Sequence, residues 1–229
     1  MLIIKRAASE RELQDVHALR YAVYCLERGY EPPDDYPAKV EVDGYDPYSV
    51  HFIAYAPALR DVVVPAGTVR LILPNPLGFP VERYCRVQVR NRCNETAGVA
   101  EISRLAVSAE ATARLRIVKS EVTFGLIREL YHTLRELNIE RVFTAMTTGL
   151  ERLLRACGLS FTAAGPSVAY HGIRTPFYAE VDTLFKGAAM SRRGALQLLC
   201  RPREEFYTSV NRTDSIACSG SAAHRAPYS

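Results

Sequence analysis

EISRLAVS, residues 101–108, has the apolar content of a buried strand in Ile102, Leu105, Ala106 and Val107, yet it seats an acid, a hydroxyl and a guanidinium within four residues. A buried ion costs several kcal/mol unless it is paired or used. The strand therefore reads as the floor of a cleft rather than as plain core. Strict alternation would put Glu101 and Ser103 on one face and Arg104 on the other. A β-bulge at this point would bring Arg104 round to join them.

On the N-terminal side, LIIKRAAS (2–9) predicts a short first strand, and Ser9 with Glu12 predicts a capping box. Leu13, Val16, Leu19, Val23 and Leu26 recur at helical spacing, so a helix is expected over 10–27 and Gly29 ends it. Arg20 lies beside the apolar stripe of that helix. The segment from Tyr30 to Ser49, rich in Pro, Asp and Tyr, predicts a long loop, and such loops inside domains are usually functional or disordered. HFIAYAP (51–57) and GTVRLILP (67–74) predict a hairpin-like strand pair. Residues 74–98 read as irregular, with a basic stretch at Arg83, Arg86, Arg90 and Arg92.

On the C-terminal side, the periodicity from Val118 to Leu137 predicts a long helix over 117–137. ERVFTAMT (140–147) predicts a strand and GLERLLRACG (149–158) a helix closed by Gly158. FTAAGPSVAYHG (161–172) and TPFYAEVDTLF (175–185) read as late strands, and RRGALQLLC (192–200) as a weak helix. The whole order predicts an α/β fold, a mixed sheet with a strand–helix–strand crossover in its second half. Residues 1–207 are expected to form one domain, and 208–229, rich in Ser, Asn, Ala and Gly, a mobile tail.

Composition excludes several classes. The formal charge of +4 is too small to argue for nucleic acid, although it suits an acidic partner. The six cysteines form no CxxC pair and no ligand spacing with the histidines, so no metal site is expected. No apolar run reaches the ~20 residues of a membrane span, and no secretory signal is visible at the N-terminus. Cytoplasmic residence with reduced thiols is the expectation.

Five segments in order resemble one family: LRYAVYCLERGYE (19–31), VDGYDPYSVHFIAY (42–55), GTVRLILP, EISRLAVS and GPSVAYHGIRTPFYA (165–179). They are similar to the GNAT-fold acyltransferases, in the branch holding acyl-homoserine-lactone (autoinducer) synthases and long-chain N-acyl amino acid synthases. The resemblance is nearest to the acyltransferases associated with PEP-CTERM/exosortase systems. It implies a polar cluster of Arg20, Asp43, Asp46, Arg70, Glu101 and Arg104 that organises the cleft and holds an amine-bearing substrate. The chain has no tryptophan, where the autoinducer branch commonly has one after the first helix, and this favours the amino acid synthase reading.

Acetyl-CoA-dependent GNAT enzymes follow this strand with a glycine-rich turn whose N–H groups hold a pyrophosphate. Here the segment is SAEATARLRIVKS (108–120), with no glycine. The expected donor is thus an acyl-phosphopantetheine on an acyl carrier protein, in preference to acyl-CoA, with no bound cofactor. Arg114, Arg116 and Lys119 are candidates for docking an acidic carrier. Contact with the membrane would be peripheral, through the acyl product.

Acyl transfer from a thioester to an amine needs a base and a stabilised oxyanion. Glu101 is either that base or an ion-pair partner of Arg20 or Arg70. Ser103, in the catalytic strand, satisfies neighbouring groups rather than acting as a nucleophile, since no G-x-S-x-G elbow surrounds it. Backbone N–H groups of the strand are the expected oxyanion donors. Asp43 and Asp46 serve either turn chemistry or the arginines. His171 either orients substrate or is an ordinary structural histidine, and Cys157 reads as core. The expected reaction is N-acylation of an amino acid or similar small amine by a medium or long fatty acyl chain. An autoinducer synthase and a non-catalytic carrier-binding module are the alternatives.

Overall fold

The computed structural model describes residues 2–58, 62–90, 95 and 97–184, all within a unit spanning Met1–Leu199. The expected helix over 192–200, the tail from Thr208 and Arg92 lie outside the described residues. The first strand β1 (Ile3–Arg6) leads into helix α1 (Glu10–Tyr21), whose N-terminus carries the anticipated capping box of Ser9 and Glu12. The chain then winds on as a π-helix over Ala22–Glu27, with the Arg28 N–H reaching back to the Val23 carbonyl at 3.0 Å. Single π turns of this kind concentrate at functional sites.

Strands β2 (Ser49–Pro57) and β3 (Val63–Ile72) form the expected antiparallel hairpin, and β4 (Val99–Val107) pairs antiparallel with β3. The segment expected to be irregular holds a helix, α2 (Pro80–Cys85). Six residues are too few to display a 3.6-residue period, and Pro80 in the first turn is its main local signal. Beyond β4 a short helix that the periodicity did not predict, α3 (Ala109–Leu115), capped by Ser108, precedes the expected long helix, α4 (Lys119–Glu136). Strand β5 (Arg141–Met146) and helix α5 (Thr148–Ala156) fall where expected. The late strands are shorter than expected: β6 (Thr162–Ala163) and β7 (Val168–Ala169) are two-residue pieces, and β8 (Ile173–Glu180) stops before Val181.

The sheet order is β1-β2-β3-β4-β5-β8-β6, with β7 on β8. Among the described strands only β4 and β5 run parallel, joined through α4, which is the predicted crossover. On one sheet face Val122, Leu126, Leu130 and Leu134 of α4 bury Val69, Leu71 and Val142. The other face is broken into separate apolar patches. Near α2, Ile72, Phe79, Val81, Val99 and Phe143 pack together, and near α1 Leu19 and Val23 cover Ala106. Between these two apolar patches the face is polar, and the candidate site lies there.

Candidate functional site

Two irregularities of β4 build the site. The first is a register shift against β3. Thr68 faces Ala106 and Arg70 faces Ser103, so two residue steps on β3 span three on β4. The extra residue bends the strand at Arg104, which takes the left-handed φ of 52°. This is the bulge that brings Arg104 to the face of Ser103 and Arg70.

The second irregularity is a parting of strands. β4 pairs with β5 only over Val99–Glu101 against Arg141–Phe143, while β5 continues on β8 through Met146. Past Glu101 the two parallel strands separate, and the edge of β4 is left open towards β5. A cavity of about 410 Å³ occupies the gap. Ile127, Leu130, Leu150, Leu154 and Phe161 line its apolar part, whereas Glu101, Ser103, Arg104, Tyr170 and His171 line its polar part.

Behind the cavity stands a buried ion cage. Arg20 is fully buried and Arg70 is 1% exposed. Arg20 binds Glu41 through Nε and Asp46 Oδ1 through Nη1 at 2.6 Å. Arg70 Nη1 donates to Asp43 Oδ1 at 2.6 Å and Asp46 Oδ1 at 2.7 Å, and its Nε donates to Ser103 Oγ at 3.0 Å. Arg104 closes the cage on Glu41 Oε1 at 3.0 Å and Asp43 Oδ2 at 3.2 Å. Three guanidiniums thus face three carboxylates, so the charge balances in a place where an unpaired ion would be costly. Against the burial that disfavours charge, Arg20 and Arg70 hold Asp46 well below the usual carboxylate range, and Arg70 and Arg104 lower Asp43.

The sequence-predicted residues Arg20, Asp43, Asp46, Arg70, Ser103 and Arg104 therefore meet. Glu41, fully buried between Arg20 and Arg104, belongs with them and escaped the sequence reading. Its signal was the alternation Val40-Glu41-Val42-Asp43 just before the turn, which marks Glu41 and Asp43 as sharing a side.

Glu101 stands apart from the cage. Its ion pair with Arg20 or Arg70, one of the two expectations, does not form. Glu101 Oε2 instead accepts the Val81 N–H from α2 at 2.9 Å, and the side chain is 2% exposed. Burial pushes its carboxyl up to about 8, with the Val81 N–H and the more distant Arg70 and Arg104 pulling the other way. A carboxyl so placed releases and regains a proton near neutrality, as a general base must.

His17, Asp46 and His51 bring possible metal-ligand atoms within 4.8 Å of one another. Asp46 Oδ1 already accepts from two arginines and Oδ2 from the Asp43 N–H, and the guanidiniums would repel a cation. The donor chemistry does not suit a metal. Among the basic candidates, Lys119 opens α4 and lines the cavity, while Arg114 and Arg116 are exposed beside it. Cys157 is buried in the core as expected.

Residues 19–118 match the acetyltransferase (GNAT) domain family. The chain has the GNAT fold. Similar solved structures include the AHL synthase LasI, 19% identical with a TM-score of 0.63, over 84% of this chain and 99% of that one. The CoA-dependent acyl-homoserine lactone synthase BjaI, with SAM and isopentyl-CoA, is 18% identical with a TM-score of 0.59, over 87% of each chain. FeeM, an N-acyl amino acid synthase from uncultured soil microbes, is 13% identical with a TM-score of 0.57, over 82% of this chain and 94% of that one. No curated protein matches by sequence.

The start of α3 is closed from within the chain. Glu27, the last residue of the π-helix, accepts the Ser108 hydroxyl at 2.7 Å and the N–H groups of Ala109 at 2.7 Å and Glu110 at 3.3 Å. The amides that follow β4 are thus satisfied by an internal carboxylate. Among the described residues no helix is long and apolar enough to cross a membrane.

Proposed function

We propose that this protein moves a medium or long fatty acyl chain from an acyl carrier protein thioester to the amine of an amino acid or similar small amine. One observation carries the reading: a buried carboxyl titrating near pH 8, Glu101, at the point where β4 and β5 part beside an apolar cavity. The acyl chain lies among Ile127, Leu130, Leu150, Leu154 and Phe161, where each buried methylene contributes about 0.8 kcal/mol. The thioester carbonyl faces the open edge of β4, whose N–H groups stabilise the oxyanion. Glu101, directly or through a water, takes the proton from the amine as it attacks. The cage keeps Arg104 on the acceptor side of the cleft, and Ser103 aligns Arg70.

The glycine-free segment after β4 supports the carrier as donor, and so does Glu27, which fills the amides a pyrophosphate would use. Arg114, Arg116 and Lys119 then receive an acidic carrier, and the acyl product supplies any membrane contact, from the cytoplasmic side.

A second reading, autoinducer synthesis from an S-adenosylmethionine amine, is favoured by the cage of Arg20, Asp43, Asp46, Arg70 and Arg104, which matches what the autoinducer resemblance implies. A non-catalytic carrier-binding module has no use for an isolated buried carboxyl, and Glu101 speaks against it. Mass spectrometry of lipids from cells expressing the protein tests all three. An acyl amino acid supports the first reading, an acyl homoserine lactone the second, and no new lipid refutes both.

A further inference from the structure

Each transfer creates a proton. The acceptor enters as an ammonium, R–NH3+, and meets R′–C(O)–S–R″. The N–C bond forms, the C–S bond breaks, one proton goes to the departing sulfur, and the products are amide, thiol and one H+. Glu101 is 2% exposed, and Val81, its hydrogen-bond partner, is buried and its N–H does not titrate. A proton arriving there must leave through the cavity.

The polar wall of that cavity holds a carboxylate–imidazole pair. His171 Nδ1 lies 2.7 Å from Glu31 Oε1, between a residue just beyond the π-helix and one in the β7–β8 turn, 140 positions apart. Both side chains line the cavity, at 30% and 15% exposure, so the pair spans cleft and solvent. His171 has a left-handed φ of 49°, a backbone cost that concentrates at functional sites. The pair is braced on both sides, since the Tyr170 ring stacks on Tyr84 with centroids 4.4 Å apart and Arg174 lies over Tyr30 at 4.9 Å. With Nδ1 engaged by a carboxyl, Nε2 is the nitrogen left for the cleft, the arrangement by which a carboxylate orients a general base.

Resting on the acyl-transfer reading, we propose that the Glu31–His171 pair is the proton exit of the reaction, taking the amine's proton from the cleft and releasing it to solvent. The charged and titratable groups around it are Arg104 from β4, Arg174 from β8, Cys25 from the π-helix, Glu41, Asp43, Asp35 and Tyr36 from the loop after it, and the neighbouring Tyr170. Burial disfavours the charged form of both groups, raising Glu31 and lowering His171.

The test is H171Q and E31Q in the full chain with saturating donor and amine. H171Q is expected to lower kcat at least ~10-fold with KM for both substrates nearly unchanged, and imidazole buffer is expected to restore much of the rate. E31Q is expected to move the His171 titration, followed by NMR of the ring C–H, to lower pH. A wild-type rate in H171Q, or a loss that imidazole does not relieve, overturns the proposal. A His171 titration unchanged in E31Q overturns it independently of turnover. A wild-type protein inert towards every thioester and amine refutes the acyl-transfer reading instead, so the two failures are separate.

Discussion

Replacing Glu101 by Gln separates chemistry from architecture, because the structure predicts opposite signs for activity and stability. The carboxyl is pushed by burial from the ordinary 4.5 up to about 8. Between those values the folded protein keeps a proton that the unfolded chain has released, so stability falls as pH rises through that window. At ~1.4 kcal/mol per pH unit, the buried carboxyl removes roughly 3 kcal/mol by pH 7 and nothing near pH 4.5. A neutral amide of almost the same shape escapes this penalty and can still accept the Val81 N–H. E101Q should therefore be more stable than the parent by up to about 3 kcal/mol at pH 7, with the difference vanishing near pH 4.5. Denaturant melts of both proteins at several pH values between these limits measure it. Turnover should meanwhile fall about 10²-fold or more, and the parent's rate should climb with pH and level off above ~8. An E101Q protein that is less stable at pH 7, or a stability difference independent of pH, would refute the isolated buried carboxyl. Unchanged turnover at saturating amine would remove the base.

Three further outcomes are expected. Asp46→Asn and Arg70→Gln, which break the same 2.7 Å contact, should each cost about 3–5 kcal/mol in denaturant melts. Combined, they should be non-additive by roughly 0.5–3 kcal/mol, and strict additivity would mean that the cage is not a unit. His51, 5% exposed beside Asp46, is lowered by burial to about 4, so the unfolded chain takes up its proton first as pH falls below 6.5. H51Q should remove up to about 3 kcal/mol of the stability loss between pH 6.5 and 4, and identical acid melts would contradict this. Acyl carrier thioesters should outperform matched acyl-CoA by at least ~10-fold in kcat/KM. Charge reversal at Arg114 and Arg116 should raise KM for the carrier most at low salt, and equal use of both donors would undo the argument from Glu27 and the glycine-free segment.

The sequence by itself determined the order of the longer strands and helices, the crossover and most of the polar cluster. Helical periodicity in α1 and α4, and apolar strands interrupted by arginine or glutamate, are local signals that survive in any arrangement. An arginine beside an apolar stripe must find an acid, so Arg20 and Arg70 pointed to Asp43 and Asp46, which the sequence left open between that role and turn chemistry. Short or context-dependent features were not legible. The six residues of α2 are too few for a period, and Glu41 looks like any loop acid until two guanidiniums close on it.

Only the tertiary structure decided the surroundings of Glu101. Whether that carboxyl is an anion locked to arginine or a proton carrier depends on a few ångströms of separation and on how much water is excluded. Both follow from where α2 docks and where β4 leaves β5. The bulge at Arg104 was conceivable from the sequence, but its cause, one extra residue on β4 against β3, is a matter of register between strands some thirty residues apart. Charge and periodicity are written along the chain, whereas desolvation and register exist only once the chain has folded.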